Sequence, residues 1–195
     1  MAEETIEKFQ PTNGRVVGVL GLVVVLALMV LGAIDGYPVW AVGLLAVLAV
    51  LTWASVLRPG VRIVGDELEL RNMFLTQAVP LGAIEEVAVR RVLAVRAGER
   101  RFVSPAISRS LRQTLHPKKP KGSDQIALAA ASYPDFVEER IRAAAQDHRD
   151  RLGIKARSDE QLALADVVRS EPAVAEIGAL AVAVLVMLAG FVIAL

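Results

Sequence analysis

The sequence predicts a membrane-anchored α+β protein. Three membrane-crossing helices, the first two paired as an N-terminal hairpin, carry a small domain of antiparallel strands closed by a helix. Three observations lead to this class. Val16–Ile34, Val39–Leu57 and Ile177–Leu195 are each nineteen residues without a charge. Residues 58–104 break into about six short apolar segments with turn residues between them. Residues 133–152 repeat apolar side chains at helical spacing.

Composition sets the outer limits. Of 195 residues, 54% are hydrophobic, too many for an ordinary soluble protein. The formal net charge is only +1, which does not suggest a nucleic-acid binder. Cysteine is absent, so disulfides, thiolate zinc sites, iron–sulfur clusters and cysteine nucleophiles are excluded.

Residues 1–15 are polar, with Pro11, Asn13 and Gly14 breaking structure before Arg15, and read as a short cytoplasmic tail. Residues 16–57 form the hairpin. Nineteen helical residues span about 28 Å, close to the hydrocarbon thickness of a bilayer. Asp35-Gly36-Tyr37-Pro38 supplies the turn. The first run is too long for a signal-peptide core and no small-residue cleavage site follows it, so it is expected to stay. Lys8 and Arg15 precede the hairpin and Arg58 and Arg62 follow it, while the loop has no basic residue. The excess of basic residues on both flanks puts the N-terminus and the main domain in the cytoplasm of a multi-pass plasma-membrane protein. Tyr37 and Trp40 then mark the outer interface and Trp53 the inner one. Gly14, Gly18, Gly21 and Gly32 allow a close helix–helix approach on the first span.

Residues 58–153 are the predicted soluble domain. Arg58-Pro59-Gly60 ends the second helix, since proline cannot continue it. Val61–Val64 and Leu68–Arg71 read as strands, the second with strict alternation. Asn72 opens a turn. Ala78–Pro80 is a short segment ending at Pro80, and Leu81–Glu85 a bend. Val87 and Val89 alternate with Ala88 and Arg90. Val92–Arg96 and Arg101–Val103 flank a hairpin turn in which Gly98 supplies positive φ. Pro105 is expected to stop the last strand.

Ile107, Leu111 and Leu115 suggest a short amphipathic helix, His116–Ser123 a basic loop rich in proline and lysine, and Ile126–Leu128 either a strand or a helix. The helix over 133–152 has Ser132 as N-cap, Pro134 in its first turn and Asp135 as the capping-box partner. Its buried face is Val137, Ile141, Ala144, Ala145 and Leu152, and Gly153 fits the position just past its end. Residues 154–173 are a linker with a second helix over 158–170, capped by Ser158 with Gln161 and broken at Glu171-Pro172. Residues 174–195 hold the third span. Glu176 at its mouth reads as an interfacial carboxylate rather than a proton relay, because it is not deep in the span.

No catalytic constellation is evident. His116 and His148 lie far apart without cysteine, which gives no zinc spacing. Glu85-Glu86 and Glu138-Glu139 are adjacent, and neighbours usually point apart. The serines near Arg109 lack a base or elbow motif. There is no glycine-rich phosphate loop. The reading is therefore no enzyme, no cofactor and no metal site.

A strand-rich half-barrel closed by one helix is the plan of the pleckstrin-homology fold. The wording of EKFQPTNGR, RPGVRIVGDELELRN, FVSPAISRSLRQ, YPDFVEERI and EQLALADVVRSEP resembles small actinobacterial integral membrane proteins with a bacterial pleckstrin-homology-like domain. That resemblance implies a domain of this type over 58–153 and no catalytic residues. Stretch 116–123 interrupts the region where the last strand of such a domain would fall, which leaves a seventh strand open.

One charge imbalance stands out. Residues 90–121 hold ten basic residues against one acid, Glu99. The candidate binding surface is Arg90, Arg91, Arg96, Arg100 and Arg101, with the turn at Gly98 expected to project Arg100 and Arg101 together. The function this supports is a membrane-tethered, non-catalytic module that recognises a protein partner or anionic lipid headgroups at the inner leaflet. The alternative is an accessory subunit of a larger membrane complex, or a homo-oligomer, docked through its helices.

Overall fold

A computed structural model describes residues 6–12, 14–109 and 125–194, with side chains in the last stretch from Tyr133 onward. In chain order the elements begin with β1 (Ile6–Phe9), α1 (Arg15–Ile34) and α2 (Val39–Thr52). A π turn over Trp53–Leu57 continues α2, with the Arg58 N–H donating to the Trp53 carbonyl at 3.0 Å. Then come β2 (Gly60–Val64), β3 (Glu67–Arg71), β4 (Leu75–Pro80), a 3-10 turn (Leu81–Ala83), β5 (Ile84–Val89), β6 (Val92–Ala97) and β7 (Arg100–Ser108). The chain closes with α3 (Gln125–Leu152), α4 (Asp159–Asp166), β8 (Arg169–Pro172) and α5 (Val174–Ala194). These elements divide into two units, one built on the strands with α3 and α4, the other on α1, α2 and α5.

In the helical unit, three helices are long and apolar enough to cross a membrane: Arg15–Ile34, Val39–Leu57 and Val174–Ala194. α2 lies between the other two and packs on both. Gly18 on α1 and Gly14 just before it meet Val56, Gly32 lies under the Tyr37 ring, and Gly21 meets nothing within 4 Å. The tighter approach is between α2 and α5. A Cβ on Gly43 would sit 2.6 Å from the Met187 backbone, so only glycine fits there. Arg58 Nε and Glu176 Oε1 pair at 2.5 Å with both side chains 12% exposed, which gives Glu176 a partner at the helix ends.

The strand unit has a five-stranded sheet in the order β1-β2-β3-β4-β8 and a three-stranded antiparallel sheet in the order β5-β6-β7. Alternation dictates the inward faces: Val61 and Ile63 on β2, Leu68 and Leu70 on β3, Val87 and Val89 on β5, Leu93 and Val95 on β6. α3 closes this core through Val137, Ile141 and Ala145 against β5 and the 3-10 turn. The six strands expected over 58–104 are β2 to β7.

Several expectations are corrected. The N-terminal tail is strand β1, paired antiparallel with β2 from Ile6↔Val64 to Phe9↔Val61. Burial of Phe9 explains it, as do the bonds of the following residues: the Gln10 N–H donates to the Tyr133 hydroxyl at 2.7 Å and Thr12 pairs with Ala106. Burial pushes the Tyr133 phenol above its ordinary value, against the lowering effect of the Gln10 N–H. Arg140 bonds Glu7, which raises the arginine further. β7 runs through Pro105 to Ser108. The register with β6 shifts between Val92 and Leu93, opposite the proline, and β7 is an edge strand, where a missing N–H is tolerated. Ile107, expected on a helix, is a buried residue of β7; Leu111, Leu115 and most of the basic loop lie outside the described residues.

α3 begins at Gln125, so Ser132 and Pro134 fall inside it and Ser132 is not its N-cap; the alanine-rich run before them continues the helix. Leu152 is exposed, and His148 takes the buried place on the helix face. Gly153, at φ +68°, ends the helix, with the Ile154 N–H reaching the Arg149 carbonyl. The helix expected over 158–170 stops at Asp166. Residues 169–172 pair with β4 as β8, where Arg169 bonds Glu67 at 2.7 Å.

Candidate functional site

The candidate site is the outer face of the β5-β6-β7 sheet. Its edges are already occupied. Along β5, Glu138 accepts from the Val89 N–H at 2.8 Å, Arg142 donates to the Val87 carbonyl at 3.3 Å, and Arg149 donates to the Ile84 carbonyl at 2.7 Å. Along β7, Thr12 and Asn72 bond the backbone at Ala106 and Val103. These groups satisfy backbone atoms that would otherwise pair with another strand.

Alternation then decides which side chains look outward. Glu86, Arg96 and Arg101 are cross-strand partners in one row, and Ala88, Ala94 and Val103 in the next. Arg90 and Arg91 lie in the connection between β5 and β6, both exposed. Arg90, Arg96 and Arg101 line one recess with Glu86, Ala88 and Ala94. Of the five arginines named from sequence, these three are brought together and Arg91 is at the adjoining turn.

Arg100 is not with them. It pairs with Ala97, so it points to the opposite side of β7 from Arg101, and its guanidinium lies 5.3 Å from the Phe102 ring centroid. The turn at Gly98, φ +58°, does not project the two together, because successive strand residues face opposite ways.

Arg96 is held by acids. Its Nη2 is 3.1 Å from Glu85 Oε2 and its Nε 3.9 Å from Glu86 Oε2. Glu85 is fixed in turn by the Gly98 N–H at 3.1 Å. Among the described residues Arg90, Arg91 and Arg101 pair with no carboxylate. The recess therefore has three arginines, Arg90, Arg96 and Arg101, against two carboxylates, both engaged by Arg96. Sequence alternation marked Ala88 and Arg90 as one face of β5. It gave no sign that Ala94 completes the floor, since that requires the register of β6.

The other outer sheet face balances itself. Arg62 and Arg71 both bond Glu69. Burial alone would raise the Glu69 carboxyl; the hydrogen bonds and charges of the two arginines outweigh it and hold the group below the ordinary carboxylate range. Glu138 and Glu139 share Arg142. His148 Nδ1 is 3.1 Å from Asp66 Oδ1 without the alignment of a hydrogen bond, and no cluster of three potential metal ligands occurs among the described residues. His116 lies outside them. No protein-family model, curated protein or solved structure matches the chain.

Proposed function

We propose that the chain is a membrane-tethered, non-catalytic binding module. In this reading a domain of pleckstrin-homology-like plan is held at the cytoplasmic face of the cell membrane and offers an arginine face to an acidic surface. The observation that carries it is the convergence of Arg90, Arg96 and Arg101 on one outer sheet face, with Arg91 in the adjoining turn. Each basic group near an anionic leaflet contributes about 1 kcal/mol. Two antiparallel sheets closed by α3 support the fold assignment.

The pairing of β1 with β2 supports the topology. These strands flank the α1–α2 hairpin, and Phe9 lies opposite Val61. Both ends of the hairpin therefore return to one domain, as they must if the pair enters and leaves the bilayer on the same side. Basic flanking residues assign that side to the cytoplasm.

A photo-reactive residue at Val103, on the middle row of the face, tests the reading in cells. The expected result is an adduct with lipid or with an acidic protein that disappears in the full chain carrying Arg96→Ala and Arg101→Ala. An adduct that survives both substitutions, or none at all, overturns the arginine face as a binding surface. Docking through the helices, as an accessory subunit, would then be the better account.

A further inference from the structure

The arginine face has a shape as well as a charge. Ala88 and Ala94 are cross-strand partners and form a floor of methyl groups. Glu86 and Arg96 lie across from each other on one side of that floor, and Arg90 lies beyond the other. Arg96 is level with Glu86, so with a rise of about 3.4 Å per residue Arg90 and Arg96 stand about 14 Å apart along the strands. Their side chains and that of Arg101 nevertheless line the same recess.

We infer that this recess holds the phosphate of an anionic phospholipid headgroup. The inference rests on the membrane reading above and names its ligand. A guanidinium offers parallel N–H donors that match two phosphate oxygens. Arg90 and Arg101 have no carboxylate partner among the described residues, so both can turn to a ligand. Arg96, fixed by Glu85 and Glu86, contributes an oriented charge behind them. Alanine at both floor positions leaves the space that a larger side chain would fill. The source is lipid rather than a soluble phosphoester because the chain carries three helices apolar enough to cross a membrane. Tethering converts a weak contact with an open recess into an intramolecular one at high effective concentration.

The chain has no cysteine, so Val103→Cys accepts a single environment-sensitive fluorophore beside Ala94. The labelled full chain is reconstituted in phosphatidylcholine nanodiscs with rising phosphatidylglycerol. A blue shift should grow with phosphatidylglycerol and reverse as salt rises. Arg90→Ala and Arg101→Ala should each raise the phosphatidylglycerol needed about fivefold, the factor for one basic group at such a surface. Ala88→Leu should do the same with no change of charge, by filling the floor. Glu86→Gln should lower the requirement, by removing the carboxylate at the rim.

Lys155→Ala removes an exposed charge elsewhere on the domain and should change nothing. If it costs as much as Arg90→Ala, the attraction is diffuse and the recess is overturned while the membrane reading stands. If the unsubstituted labelled chain ignores phosphatidylglycerol, both the recess and the lipid reading fall. If inorganic phosphate on pure phosphatidylcholine nanodiscs reproduces the shift, the lipid source is overturned.

Discussion

Gln161 shows how much one polar side chain can organise. It is 1% exposed and every polar atom of its amide is engaged. Its Oε1 accepts from the Arg157 N–H at 2.6 Å, and its Nε2 donates to the Gly82 and Ile84 carbonyls at 3.1 and 3.2 Å. Its own N–H donates to Ser158 Oγ at 3.3 Å, which caps α4. Gln161→Leu keeps the bulk but leaves the Arg157 N–H and the Gly82 carbonyl without this partner. We expect a loss of about 2–3 kcal/mol, since a buried group left unsatisfied costs its full desolvation. Gln161→Glu should cost at least as much, because a carboxylate oxygen would face two carbonyls. Thermal unfolding of the detergent-solubilised chain measures both; a shift no larger than that of an exposed substitution would remove Gln161 from this role. The spacing of Ser158 and Gln161 made the cap legible in the sequence. The tie to Gly82, 79 residues away, was not legible, because no local pattern encodes it.

At the scale of elements, the strands with clean alternation were the readable ones. β2, β3 and β6 each keep one face apolar, and period-two patterning survives without knowledge of the partners. β1 has only Ile6 and Phe9 among charged residues, and β8 is RSEP, fully exposed. Both are edge strands of the larger sheet, so neither needs two apolar faces. Their identity comes from pairing, which a single segment does not display. The contribution of β1 is testable through its one buried side chain. Phe9→Ala should destabilise the domain by about 3 kcal/mol, the lower end for a buried phenylalanine. Glu7→Ala, which breaks an exposed pair with Arg140, should cost under about 1 kcal/mol. Hydrogen exchange should show faster exchange across β2 in the first variant only. Equal protection in both would mean that β1 contributes nothing to the sheet.

For the whole molecule, three uncharged runs made the long helices plain, because no other element tolerates nineteen consecutive apolar residues of that kind. The contact between α2 and α5 was hidden. It depends on Gly43 meeting Met187 and Gly190 meeting the start of α2, and glycines in apolar runs have many possible partners. The proposed topology predicts which positions reach the outside. Asp35→Cys, in the exposed turn between α1 and α2, should react with a membrane-impermeant thiol reagent on intact cells. Glu99→Cys, in the exposed turn before β7, should react only after permeabilisation. The opposite pattern would reverse the orientation.

The place of β1 in the chain has a consequence for synthesis. β1 leaves the ribosome before the hairpin, its partner β2 follows only after both helices, and Tyr133, which bonds Gln10, lies 123 residues beyond that glutamine. In the proposed topology the strand must therefore wait, unpaired, while the hairpin is inserted. Were only one of the two helices to cross the bilayer, β1 and β2 would emerge on opposite sides and could never meet. Phe9 would then have no sheet to join, and Val61 would lose its neighbour. On that topology, closure of the domain is conditional on the hairpin having crossed twice, and a misinserted chain is left with an open sheet edge that proteolysis can recognise.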